Sequence, residues 1–238
     1  MFRDVIESFN FTDSGPFFFF GDEGSYPKHD VKSLSPEEMA AKLEAEKPIV
    51  EGLCKSDTIV FHQEDPTTVM LNPIYEGRGW DVYKGSEWSG PLSRESLDEL
   101  MRRYDRILFL GHGTPGGLMS GVVGREQVPL LKGKKVFTLW CYAATFLKNN
   151  GLHGFMCSDN CPSEVWECKA ACDADVSKEW IYDNMLYLSE VLKDVVELSF
   201  TDPHKAVDIA RDRYSKAEAS TEDEKKVVEF NTNTLQVS

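Results

Sequence analysis

A surplus of basic charge is the first thing missing from this chain: 26 Lys and Arg stand against 40 Asp and Glu, a formal net charge of −14. A surface of that sign repels phosphates, which argues against a nucleic-acid partner and for a soluble protein. Long apolar runs are missing too. None approaches the length of a membrane span, and Phe17-Phe18-Phe19-Phe20 is far too short, so no membrane partner is expected. The N-terminus lacks the basic-then-apolar plan of a secretory leader, because Asp4 and Glu7 sit where the apolar stretch would begin. The expectation is a cytoplasmic protein. A Gly-x-Ser-x-Gly elbow is absent, which argues against a serine hydrolase of the α/β type. The glycine-rich stretch at 111–124 lacks the Lys-Ser/Thr ending of a phosphate-binding loop.

Cysteine is present, at Cys54, Cys141, Cys157, Cys161, Cys168 and Cys172. In a chain of this length without a leader, reduced thiols are the default and no disulfide framework is expected. Apolar content of 41% and aromatic content of 11% are those of a globular protein with a substantial core.

Turn signals and periodicity divide the chain into an N-terminal accessory segment, 1–56, and an α/β domain, 57–238. The accessory part pairs a strand candidate at Phe17–Phe20, between Gly15-Pro16 and Gly21-Asp22-Glu23-Gly24, with a helix opened by Ser35-Pro36-Glu37-Glu38. There serine caps, proline takes the first helical position and Glu38 closes a capping box; the helix is expected to end near Lys47-Pro48. From Asp57 strand and helix alternate. Strands are expected at Thr58–His62, Trp80–Tyr83, Arg106–His112, Lys135–Cys141 and Gly154–Cys157, with helices at Pro66–Tyr75, Ser93–Tyr104 and Ala143–Asn150. That alternation predicts a mostly parallel sheet flanked by helices on both faces, a three-layer α/β/α fold. Helical spacing continues over Pro162–Ala171, Val176–Val196 and Pro203–Lys216. A polar loop is expected at 218–226, and Val227–Phe230 with Leu235–Val237 as a closing strand or hairpin.

The chemistry concentrates between Arg106 and Cys141. One apolar run ends in His112-Gly113 and the next in Cys141. If the two strands are parallel neighbours, imidazole and thiol emerge together outside the carboxyl ends of the sheet, where open α/β sheets place their sites. A thiol there needs a base within reach to become a nucleophile, and histidine can serve.

An apolar strand ending in His-Gly, a loop, and a following strand ending in cysteine resembles the caspase-like cysteine peptidases, the broad group of caspases, legumains, clostripain and gingipains. The likeness runs from about Thr58 to Ser158. Trp140 departs from it, since many members carry alanine directly before the cysteine, and so does the short interval between His112 and Cys141. The resemblance implies a cysteine endopeptidase whose substrate is a protein or peptide and which needs no cofactor or metal. Cys141 would attack the scissile carbonyl, His112 would act as general acid and base, and the backbone N–H groups of Gly113 and Cys141 would form the oxyanion hole. Glycine at 113 removes a side chain that would crowd the incoming carbonyl oxygen. A helix starting just after Cys141 would favour the thiolate.

In the family, the pocket for the residue before the scissile bond is lined by the loop after the first strand and by residues near the cysteine strand and the next. Here those places hold Gln63-Glu64-Asp65 and Ser158-Asp159-Asn160. Carboxylates at Glu64, Asp65 and Asp159 would suit an arginine or lysine side chain. Arg125, Lys132, Lys134 and Lys135 would then be sites of self-cleavage. The alternative is a catalytically inactive caspase-fold module that binds a partner. His62 points to the same edge as His112, either to position substrate or, as preferred, to pair with a carboxylate. Cys157, Cys161, Cys168 and Cys172 form C-x3-C…C-x3-C, wider than the usual zinc knuckle, and buried small residues are preferred over zinc ligands.

Overall fold

The computed structural model describes residues 35–85, 92–118 and 121–238. The strand candidate at Phe17–Phe20 lies outside them. Ser35 opens helix α1 (Pro36–Leu53) with the expected box: Glu38 N donates to Ser35 Oγ at 3.2 Å and Ser35 N donates to Glu38 Oε2 at 2.8 Å. The helix does not end at Pro48. Residues on both sides of the proline are anchored: Glu46 and Val50 are buried, and Glu46 accepts from Ser93 N at 2.9 Å and Ser96 Oγ at 2.6 Å. Those contacts override a local penalty of about 3 kcal/mol for proline inside a helix.

The apolar runs form a six-stranded sheet. Its strands are β1 (Thr58–Gln63), β2 (Asp81–Gly85), β3 (Arg106–Leu110), β6 (Lys135–Leu139), β7 (Met156–Ser158) and β8 (Leu235–Val237), in the spatial order β2-β1-β3-β6-β7-β8. Every pairing is parallel except β7–β8. Between β3 and β6 the chain adds a small antiparallel hairpin, β4 (Gly113–Thr114) with β5 (Gly117–Leu118), a single 3-10 turn at Arg125–Gln127, and helix α3 (Val128–Leu131).

Alternation along the strands sends successive side chains to opposite faces. Val60, Leu108, Leu110, Phe137, Leu139 and Met156 enter one core, covered by α6 (Lys178–Ser199), α7 (Pro203–Tyr214), α8 (Glu222–Thr234) and a 3-10 helix at Val69–Ile74; Cys168 of α5 (Val165–Cys172) joins it. Ile59, Phe61, Ile107, Phe109 and Val136 enter the other, against α1, α2 (Arg94–Arg103), α3 and α4 (Ala143–Asn149). The protein is therefore α/β, with a mostly parallel sheet between two helical layers. No helix among the described residues is long and apolar enough to cross a membrane.

One C-terminal element differs from expectation. Val227–Phe230 is helical, not a strand, and α8 begins at Glu222, inside the polar stretch expected to be a loop. Thr221 and Glu224 form a capping box, with Glu224 N on Thr221 Oγ1 at 3.2 Å and Thr221 N on Glu224 Oε2 at 2.9 Å. Val227, Val228 and Asn231 then lie along one buried helical face. Leu235–Val237 does form the final strand, against β7.

Candidate active site

Parallel pairing sets the site. β3 and β6 run side by side with Leu110 opposite Leu139, so the two chain segments leave the sheet together. Leu110 and Leu139 face the same core, and two residues on, His112 and Cys141 line one narrow cleft with Thr67, Cys161 and Ser163. His112 is 18% exposed, and Cys141 is partly open.

The loop after β1 fixes the imidazole. His112 Nε2 lies 2.7 Å from Thr67 Oγ1 and 3.4 Å from Asp65 Oδ2. Thr67 Oγ1 spends its own proton on Asp65 Oδ1 at 2.7 Å, so it accepts from Nε2–H of the imidazole. This assigns the proton to Nε2 and leaves Nδ1 as the basic nitrogen. Burial works to depress the His112 pKa, but the contact with Asp65 and its charge outweigh it and hold the imidazole above its ordinary value. Burial works the other way on Asp65, and His112 and Thr67 hold its carboxyl below the usual range.

The thiol is not a resting thiolate. Burial first, and then the negative charge of Glu167, push Cys141 up to about 12 against the partial help of the Cys161 backbone. Helix α4 does start just past the cysteine, entered through Tyr142 in the left-handed region at φ 67°.

Gly113 has a tighter reason for being glycine than room for a substrate oxygen. A Cβ built there would lie 2.0 Å from Cδ1 of Trp140. Trp140 packs on Phe109 (centroids 6.2 Å apart) and Phe146 (5.7 Å) in the core beneath α4. This side chain, and not a small residue before the cysteine, fills the space behind the His-Gly turn.

The three carboxylates expected to receive a basic side chain are otherwise engaged. Asp65 holds His112. Glu64 pairs with Lys84. Asp159 Oδ1 accepts from Thr145 N at 3.1 Å and Thr145 Oγ1 at 2.9 Å, tying down the first turn of α4. The charges of Asp65 and Asp159 still bear on His112 and Cys141, and Glu164 and Glu167, beside the start of α5, add theirs. Glu167 Oε2 accepts from Ser163 N at 2.8 Å and Glu164 N at 3.2 Å, a box closing the helix start. Glu164 accepts from Trp166 Nε1 at 2.9 Å, and burial together with Glu167 raises its pKa.

His62 belongs to the core. Its Nε2 donates to the Thr68 carbonyl at 3.1 Å and its Nδ1 lies 2.8 Å from the Tyr75 hydroxyl, so its partners are neutral and not the expected carboxylate. Burial lowers its pKa to about 4. The folded protein thus holds His62 neutral while the unfolded chain protonates from about pH 6.5 downward. Stability is full above that pH and falls by roughly 3 kcal/mol on the way down to pH 4. Urea unfolding of a His62→Gln variant is expected to show that much less acid loss over the same window; parallel curves would refute the assignment.

Among the described residues no group of three or more His, Cys, Asp or Glu is placed to hold a metal ion. All six cysteines are free thiols. Comparison with protein-family models, with curated proteins and with solved structures finds no match.

Proposed function

We propose that the protein is a caspase-like cysteine endopeptidase using Cys141 and His112. The observation carrying this reading is that the two side chains leave adjacent parallel strands on the same face and line a common cleft. Because the thiol is held up at about 12, the resting sulfur is a neutral thiol. As the sulfur attacks a peptide carbonyl, His112 Nδ1 takes its proton, and the imidazolium gains from the Asp65 carboxylate behind it. The backbone N–H groups of Gly113 and Cys141 stabilise the tetrahedral oxyanion, and such donors typically contribute about 3 kcal/mol each. His112 then protonates the leaving amine, and water on the same base releases the acyl group from sulfur.

The substrate reading is a protein or peptide with arginine or lysine before the scissile bond. The negative charges of Asp65, Glu164 and Glu167 bear on the groups at the cleft. A guanidinium among them would offset the charge of Glu167 that raises the thiol, so the correct substrate would also help ionise the nucleophile. A reducing, cytoplasmic setting suits the free thiols.

Incubation with arginyl and lysyl chloromethyl ketones is expected to add a single label at Cys141, none in Cys141→Ala, with an aspartyl probe much slower. The raised thiol also suits a second reading, a caspase-fold module that binds a partner without turnover. Absence of label from every probe, with no hydrolysis of a peptide library, would reject the peptidase and favour that module.

A further inference from the structure

The chain continues the β6–β7 pairing beyond the sheet. Ser158 Oγ donates to the Trp140 carbonyl at 3.3 Å, and Tyr142 N donates to the Asp159 carbonyl. This brings the segment holding Cys161 alongside Cys141. The Cys161 backbone N–H is directed at the Cys141 sulfur, and both residues line the cleft. Their exposures differ in a useful way: Cys141 is partly open, whereas Cys161 is buried at 8%. Cys168 and Cys172, on α5, lie near Cys161 but do not line the cleft with Cys141. Cys157 lies in the core on the opposite face of the sheet, with its sulfur toward the Gln236 carbonyl, and Cys54 is at the end of α1.

We propose that Cys161 is the resolving partner of Cys141 in a reversible, peroxide-driven switch of the cleft. The oxidant is hydrogen peroxide, which reaches the partly exposed Cys141 through the cleft. His112 takes the proton of the neutral Cys141 thiol as its sulfur attacks one peroxide oxygen and the O–O bond breaks. The sulfur becomes a sulfenic acid and the second oxygen leaves as water, taking up the thiol proton. The Cys161 sulfur then attacks the sulfenic sulfur, an S–S bond forms, and the hydroxyl leaves as a second water with the Cys161 proton. Two thiols have lost two hydrogens, and peroxide has been reduced to two waters. A dithiol reductant reverses the bond by exchange. With Cys161 in place the sulfenic acid is trapped before it reaches the irreversible sulfinic acid. The bond itself requires no peptidase activity; its consequence, an enzyme switched off, rests on the reading of Cys141 as the nucleophile.

The test is peptide mapping by mass spectrometry. The full chain is treated with peroxide at pH 8, and remaining thiols are blocked with N-ethylmaleimide. A linked pair of peptides, containing Cys141 and Cys161 and lighter by two hydrogens, is expected in the wild type and lost on dithiothreitol. In Cys161→Ser, Cys141 is expected to accumulate sulfinic acid that dithiothreitol does not restore. A wild-type protein that goes to sulfinic acid without the link, or that joins Cys141 to Cys168 or Cys172, would overturn the proposal. Peptide hydrolysis is followed in the same samples. A link that forms in a protein without hydrolysis at any stage defeats the peptidase reading and leaves the switch standing. Hydrolysis that stops under peroxide without the link does the reverse.

Discussion

Gly113→Ala is expected to be among the most destabilising single-methyl additions in this protein. The built Cβ falls 2.0 Å from Cδ1, 2.5 Å from Cγ and 2.7 Å from Nε1 of Trp140. None of these is the end of a flexible side chain. The indole is 2% exposed and wedged between Phe109 and Phe146, so it cannot rotate away without opening the core on that face. Overpacking of this kind costs about 3 kcal/mol at the upper end of its usual range. For a domain of this size, that is a fall in Tm of roughly 6–12 °C. Gly113 is not in the left-handed region, unlike Gly111 at φ 140° or Gly117 at φ 139°, so the cost is steric and not conformational. The same methyl added in a Trp140→Leu background is therefore expected to cost much less, with a coupling of about 1–3 kcal/mol in a double-mutant cycle. Equal costs in both backgrounds would show that the indole is not what excludes the methyl.

The pairing of Gly113 with Trp140 also shows where sequence reading stopped. The apolar runs at Thr58, Arg106 and Lys135 were legible because buried parallel strands are continuous in apolar content, and their chemistry-bearing ends could be placed on one edge. What Trp140 packs against could not be read, because the contact joins strand ends remote in sequence. The β4–β5 hairpin, with two residues per strand, is too short to carry a period. The capping box at Thr221 and Glu224 was present in the sequence, but the charged residues around it resembled a loop, and β-branched Val227-Val228 resembled a strand. Burial of one helical face against the core decided the matter there. Pro48 misled in the opposite direction, since tertiary anchoring at Glu46 and Val50 carried α1 through a residue that normally ends a helix. At the site, the histidine and cysteine were legible as strand ends. The roles of Asp65 and Thr67 were not, because only the folded loop after β1 brings them to the imidazole.

That loop makes the second large prediction. His112→Ala is expected to lower kcat/KM on an arginyl or lysyl peptide by about 10²–10⁴-fold, the usual contribution of a general acid–base group. Asp65→Asn distinguishes a positioning residue from a bystander. The carboxylate raises the His112 pKa, so removing its charge lets burial draw that pKa down. His112 must be neutral to accept the Cys141 proton, so activity rises as pH climbs through the His112 pKa. In Asp65→Asn the acidic limb of kcat/KM should therefore move to lower pH. The plateau should fall by about tenfold for each unit of basicity lost, 1.36 kcal/mol in the imidazolium formed at the transition state. Thr67 remains to accept from Nε2, so the tautomer is kept and the loss is smaller than for His112→Ala. Asp65→Glu, which retains the charge, should restore most of the original limb. A variant that loses rate with an unmoved limb would mean that Asp65 supports the loop alone. A limb moved to higher pH would mean that the titrating group is not His112.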